Sequence, residues 1–507
     1  MESPDEHISD RVLQIIKGGI PWLTWTLLLI IGLFLGTEVI MHLWVDQPLN
    51  FYEPELAMDA YRLSEGLTIY PDFEQGPFGG LYAPLYQIVT SLFFVIGWQE
   101  LATLRLISIG SIVVTAYFMV RSERFHNPPA VSGGFFLALL LLLIWHNDVV
   151  RFDMHGKPDA FAAMWLIVGI YFVRQAYHYH FSLRSISLAM AALTLAFATK
   201  QTMLFAIPPT LLIIWVYGNF TKAVTAGGLF TLFSLMLWPV LWLITGPNMW
   251  FYVFQQAGVF PYRWGNLFNN IYTLLSHPLI LLTGALLLWE LHQHKWKFAY
   301  SFLTVLLLFS IPAGVITAIK TGGMANAHLP TFWICSMIIF ISLPRGKMIS
   351  AITGIRLKSN QPFRYQLMAL SFVVLLFLQL GIKPYAWLRS FDYRLSGHQA
   401  YNELADNLRD VKGQVYCPWD NYLTLKASKP LVWSIKWERE TGLHGIQANR
   451  SYEKIALNST AVVTVTTSDS RNSTLPTFLD QHDFTQQESF AIWQTLTYHL
   501  WVASPSE

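Results

Sequence analysis

The chain has 507 residues, of which 53% are hydrophobic and only 13% charged, and its mean hydropathy is +0.40. That is too apolar for a soluble protein of this size and indicates a chain that crosses a membrane many times. The net charge of +2 gives no global attraction to nucleic acid, and two cysteines, Cys335 in an apolar run and Cys417 in a polar region, argue against a disulfide framework.

The first apolar run begins near Ile20. It is too long for the core of a signal peptide and lacks a small-residue cleavage site, so it is expected to persist as a span. With roughly 20 apolar residues needed per crossing, spans are expected near 20–45, 104–120, 130–148, 160–174, 185–199, 203–218, 223–245, 277–291, 299–319, 329–344 and 365–383. That makes about eleven crossings. The run 84–98, PLYQIVTSLFFVIGW, is shorter and is expected to re-enter or lie at the interface. With the N-terminus cytoplasmic, Lys and Arg favour the inner loops by roughly two to one, which supports that orientation. The C-terminus and the carboxylate-rich loop after the first span then lie outside.

After Pro384 the composition turns polar. YNELADNLRDVKG reads as an amphipathic helix, QVYCP, TAVVTVTT and TLTYHLWVAS as strands, and TLPTFLDQHDF as a helix or turn. A small α/β domain is expected over 384–507, behind a transmembrane domain over 1–383 whose first outer loop is 46–103. The sequons at Asn458 and Asn472 are too common by chance to carry weight.

Unusual chemistry collects in the outer loops. The first, FYEPELAMDAYRLSEGLTIYPD, holds Glu53, Glu55, Asp59, Glu65 and Asp72, and the second, HNDVVRFDMHGKPD, holds Arg151, Asp153, His155, Lys157 and Asp159. Lys200 stands at the outer end of a span, Arg263 lies among aromatics and amides, and KTGGMANAHLP carries Lys320, Asn326 and His328. Charges at membrane depth are costly and tend to mark function. Each also has a plainer reading. Pro54 suits the first helical position with Glu53 as cap, and Glu55, Asp59 and Arg62 then share a face that could be solvated. Lys157 and Asp159 could anchor a helix start, Lys200 could snorkel, Arg263 could stack on rings, and His328 could be structural.

The segment YEPELAMDAYRLSEGLTIYPD with YAPLYQ resembles the first outer loop of the GT-C superfamily of integral membrane glycosyltransferases. The likeness is to the bacterial branch akin to protein O-mannosyltransferases and lipid A aminoarabinose transferases. It is carried by Glu53, Ala60, Leu63, Gly66, Tyr70, Asp72 and Pro84-Leu85-Tyr86. GKPDAFAAMWLIVGIYFV, LAFATKQTMLFAIPP and GGMANAHLP resemble three later family segments, in order, on the same expected side. Two departures stand out. The family's Asp-Glu pair is Glu-Pro-Glu here, and the Arg of its Arg-Pro-Asp segment is Lys157.

The resemblance implies an all-α polytopic membrane protein of about eleven spans with a small extracytoplasmic α/β domain at its C-terminus. It implies transfer of a sugar from a polyprenyl-phosphate donor to an extracytoplasmic hydroxyl on lipid, glycan or protein, with inversion. Spacing back from Gly66 puts the family's acid on Glu53 as general base, with Glu55 its rival. Lys200, Arg263, Arg62 and Lys157 would meet the donor phosphate; Asp153, Asp159, Tyr86, Asn326 and His328 would contact substrate. No cofactor is expected, and a divalent metal among the acids is left open. The partners implied are the lipid-linked sugar, its acceptor and membrane lipids, with no nucleic acid, in a bacterial inner membrane. A transporter or flippase, or a non-catalytic subunit on the same frame, would use the same charges differently, although no internal repeat of the transporter kind is visible.

Overall fold

The computed structural model describes residues 4–49, 52–70, 82–123, 155–256, 261–292, 298–320, 325–342, 384–417, 420–428, 461–467, 484–493 and 496–503, with a few single residues between them. Among these, five helices are long and apolar enough to cross a membrane, or six if the pair Trp264–Leu275 and Pro278–His292, bent by 59°, makes one span. The five are Gly19–Trp44, Leu101–Ser122, Pro158–His178, Phe220–Thr245 and Tyr300–Ala318. Four shorter apolar helices accompany them: Leu85–Val95, Leu183–Thr199, Gln201–Tyr217 and Asn326–Ser342. The expected spans at 130–148 and 365–383 lie almost wholly outside the described residues. Leu85–Val95 has 11 residues. It is roughly 16 Å long at 1.5 Å per residue, too short to cross.

The chain is a membrane protein whose outward surface is apolar where lipid would touch it. The helix Phe220–Thr245 exposes Leu232, Leu235, Met236 and Leu243. Elsewhere small residues let helices approach. Gly169 in Pro158–His178 lies so close to Leu183–Thr199 that a Cβ there would stand 2.8 Å from Leu193 Cδ2.

The first four helices shape the site: α1 (Pro4–Trp44), α2 (Glu53–Ser64), α3 (Leu85–Val95) and α4 (Leu101–Glu123). α2 starts at Glu53 with Tyr52 as its N-cap, one residue earlier than the proline suggested, and its residues from Glu53 to Ala60 are buried. It ends in a Schellman pair, with Gly66 N–H bonded to Leu63 O at 3.1 Å and Leu67 N–H to Arg62 O at 2.8 Å. Gly66 adopts φ +71, a left-handed value that glycine reaches without strain. The chain then runs to Ile69 and Tyr70, whose amides bond Thr245 O at 3.1 and 3.2 Å, fastening this loop to the end of Phe220–Thr245.

The C-terminal part opens with the helix Pro384–Asp410 and continues into a four-stranded sheet of order β1-β2-β4-β3: Val415–Tyr416, Ala461–Thr467, Leu496–Ala503 and Phe484–Trp493. β1 runs parallel to β2; the other pairs are antiparallel. The strand Phe484–Trp493 was not expected, since Gln-Gln-Glu-Ser at its centre hides the alternation. Most of TLPTFLDQHDF lies outside the described residues.

Candidate functional site

The site is built where α2 meets the first turns of α4 and of Pro158–His178. Glu53 and Arg105 lie at its centre, both with fully buried side chains. Arg105 Nη2 reaches Glu53 Oε2 at 2.8 Å and its Nε reaches Oε1 at 3.1 Å, a bidentate pair. The Glu53 carboxylate also accepts the amides of Leu49 and Gly156, each at 2.8 Å. Arg105 gives its remaining protons to backbone carbonyls: His42 O at 2.8 Å, Val45 O, and Gln47 O at 2.6 Å. All five guanidinium N–H groups are used, which closes the desolvation cost of a buried ion pair. Burial pushes the Glu53 carboxyl up, but the Arg105 charge and hydrogen bonds, with the two amides, outweigh it and hold the group below its ordinary value. Gly156 is obligatory here, because a Cβ would stand 2.4 Å from Leu104 Cβ.

One turn along α2 the environment reverses. Glu55 and Asp59, at i and i+4, are both buried, so the solvated face considered from the sequence does not form. Burial first, and the neighbouring Glu55 charge second, push the Asp59 carboxyl well above its ordinary value; Arg62 and Gln87 oppose the shift without cancelling it. The backbone crowds this acid, since a Cβ on Gly80 would lie 2.9 Å from Asp59 Oδ2. Arg62 turns its Nε to Thr68 O at 2.9 Å.

Lys157 caps the helix Pro158–His178 from an extended conformation, and its Nζ lies 4.6 Å from the centre of the Tyr52 ring, a cation–π contact at the head of α2. Tyr52, Glu55 and Asp59 fall at i, i+3 and i+7, so Lys157 stands at the end of the acid-bearing face. Two residues past Lys157, Asp159 forms a buried ion pair with Lys200 and accepts Asn326 Nδ2 at 3.0 Å. Lys200 can reach it because the helix breaks there: the residue is extended between Leu183–Thr199 and a 3₁₀ turn at Gln201–Ala206. Three residues singled out separately in the sequence thus meet. Aromatic rings line the neighbourhood, with Tyr52 edge-on to Tyr82 at 6.3 Å and Tyr70 stacked on Tyr252 at 5.7 Å.

The other expected residues are placed differently. Tyr86 is buried and donates to Leu104 O at 2.8 Å, with its ring against Phe161. His328 packs beside Gly314, where a Cβ would lie 2.7 Å from its Nδ1, and against Phe332. Arg263 is exposed, its amide bonded to Ile319 O at 2.7 Å, and among the described residues no contact ties it to the cluster. Asp153 lies outside the described residues. Arg105 was missed; in the sequence it is one more basic residue near a loop. Among the described residues no three His, Cys, Asp or Glu side chains gather as metal ligands would.

No protein-family model and no curated protein sequence matches the chain. Solved structures do. The apo crystal structure of ArnT from Cupriavidus metallidurans superposes with a TM-score of 0.64 at 14% identity, covering 94% of this chain and 99% of that one. The same protein bound to undecaprenyl phosphate gives 0.62 at 13% identity, with the same coverage. An oligosaccharyltransferase from Archaeoglobus fulgidus is a looser likeness, with a TM-score of 0.45 at 11% identity over 96% of this chain and 74% of that one. Over nearly its whole length the chain therefore carries the fold of ArnT.

Proposed function

We propose that this protein is a membrane glycosyltransferase that moves a sugar from a polyprenyl phosphate to an extracytoplasmic hydroxyl, inverting the anomeric centre. The observation that carries the reading is the charge arrangement held by an ArnT-like frame: a buried acid pair, Glu55 and Asp59, on a helix whose head meets Lys157 through the Tyr52 ring, with Lys200 paired to Asp159 two residues beyond Lys157. The structure of ArnT with undecaprenyl phosphate supports the donor class. Transfer needs a base for the acceptor hydroxyl and cations for the departing lipid phosphate.

The residues divide accordingly. The resemblance puts the base on Glu53, but a carboxylate that accepts four hydrogen bonds and is held below its ordinary value is a weak proton acceptor. In this proposal it fixes the loop, and Glu55 takes the proton as the hydroxyl oxygen attacks the anomeric carbon and the phosphate leaves with the bonding electrons. Asp59 beside it supports acceptor binding. Lys157 meets the leaving phosphate, Lys200 joins it by exchanging its hold on Asp159, and Arg62 adds charge at the rim; Arg263, exposed and without a contact to the cluster among the described residues, is left out of this set. Asp159 and Asn326 contact the sugar. The active face looks out of a bacterial inner membrane, with the C-terminal domain on the same side.

The test is release of free polyprenyl phosphate by the full-length protein in lipid, offered a panel of polyprenyl-phosphate sugars and cell-envelope acceptors. Release with one donor, lost in Glu55→Gln, is expected. No release with any donor would return weight to a transporter or a non-catalytic subunit.

A further inference from the structure

The connection from α1 to α2 is gripped from two sides. From within, Arg105 holds the carbonyls of Val45 and Gln47. Between them is Asp46, whose side chain belongs to a different network. Lys426 forms an ion pair with Asp46 Oδ2, Tyr422 Oη donates to Oδ1 at 2.8 Å, and the Asp46 amide donates to His398 Nδ1 at 3.1 Å. All three partners come from the C-terminal domain. A second bridge lies below, with Arg394 Nη1 at 2.8 Å from Glu38 Oε2 in α1.

The domain side of this latch is itself fixed. The helix Asn421–Lys426 presents Tyr422 and Lys426, and Asp420 caps it by accepting the Leu423 amide at 3.0 Å. The other oxygen of Asp420 accepts Tyr401 Oη and Tyr498 Oη, each at 2.9 Å, which ties the helix to Pro384–Asp410 and to β4. Lys426 Nζ stands 5.9 Å from the Tyr401 ring centre, and Arg409 Nη2 donates to Lys426 O at 3.1 Å. An isolated exposed ion pair contributes little, but this one is partly buried, networked, and anchored in rigid structure on both sides.

We propose that Asp46 and Lys426 are positioning residues for the glycosyl-transfer centre proposed above, on which this inference rests. Docking the C-terminal domain through them locks residues 45–49, and with them the start of α2 and the acids Glu55 and Asp59. The domain then serves the chemical step rather than donor binding, because what it fixes is the angle of the acid-bearing helix.

The test uses the full-length protein in lipid and compares wild type with Lys426→Met, Lys426→Arg and Tyr422→Phe. Amide hydrogen exchange over 45–64 reports the grip on the loop, and polyprenyl-phosphate release gives kcat and donor KM. Lys426→Met should raise exchange and lower kcat by about tenfold or more with KM unchanged, since small misplacements of reacting groups cost that much. Lys426→Arg should restore both readouts, and Tyr422→Phe, a milder lesion, should move them less in the same direction. Unchanged exchange in Lys426→Met overturns the proposal, and so does raised exchange with unchanged kcat. If the wild type turns over no donor, the glycosyltransferase reading fails separately, and exchange alone decides whether the latch holds the loop.

Discussion

Glu53 and Glu55 are two residues apart on one helix, both acidic and both buried, yet one is paired with an arginine and the other lies near a second carboxylate. Glu53 is enclosed by an arginine and two amides, so its charge is neutralised and its geometry fixed. Glu55 shares its face with a second carboxylate, Asp59, whose ionised form burial opposes. The first arrangement holds a loop; the second is costly to folding, and carboxylates perturbed in this way cluster at functional sites. The contrast teaches that burial of an acid says little until the sign of the charge beside it is known.

Removing Arg105 should break the contrast most severely. Arg105→Ala leaves Glu53 charged and unpaired beside three carbonyls without donors, a loss of about 3–5 kcal/mol, read as failure to fold or a large fall in Tm. Gly156→Ala should act through the same clamp, because its Cβ would collide with Leu104 and drag the Gly156 amide from Glu53. Its Tm should fall by less, since the Arg105 pair survives.

The pH dependence of stability sharpens the comparison, because the two acids have opposite signs. The folded-state value of Glu53 is below its unfolded one, so its contribution is present above the unfolded value and lost as pH falls through the folded one. Asp59 is raised, so the folded state binds its proton more tightly and stability falls as pH rises from the unfolded towards the folded value. Tm measured against pH should lose part of its acid limb in Glu53→Gln, while Asp59→Asn should be more stable than wild type on the neutral and alkaline side. In the C-terminal part burial raises Asp420 to about 6, against opposing hydrogen bonds from Tyr401 and Tyr498, so Asp420→Asn should flatten the decline between the ordinary carboxylate value and that point. The smallest effect belongs to Gly66→Ala, which puts a Cβ at φ +71 and should cost about 1 kcal/mol without touching either acid.

Much of the frame was legible in the sequence, because a span must be apolar for its whole length. Gly19–Trp44, Leu101–Ser122, Pro158–His178, Phe220–Thr245 and Tyr300–Ala318 fall where hydropathy places them. The site was legible only as a set of residue types. Asp159, Lys200 and Asn326 each drew notice, but their meeting depends on a helix break at Lys200 and a 3₁₀ turn at Ala325–His328, which periodicity does not mark. Arg105 stayed hidden because its partners are a glutamate 52 residues away and three backbone carbonyls, and carbonyls leave no trace in side-chain chemistry. The grip on Asp46 was equally invisible, since Lys426 is 380 residues distant.

The most direct measurement compares Glu53→Gln and Glu55→Gln side by side, scoring donor turnover and Tm in the same lipid preparation. The account predicts that Glu55→Gln keeps wild-type stability and loses turnover by about a hundredfold or more, the usual reach of a general base, while Glu53→Gln loses stability and, in the fraction that stays folded, keeps far more turnover than Glu55→Gln. Full turnover in Glu55→Gln, with turnover abolished in a stably folded Glu53→Gln, would contradict it and return the base to Glu53.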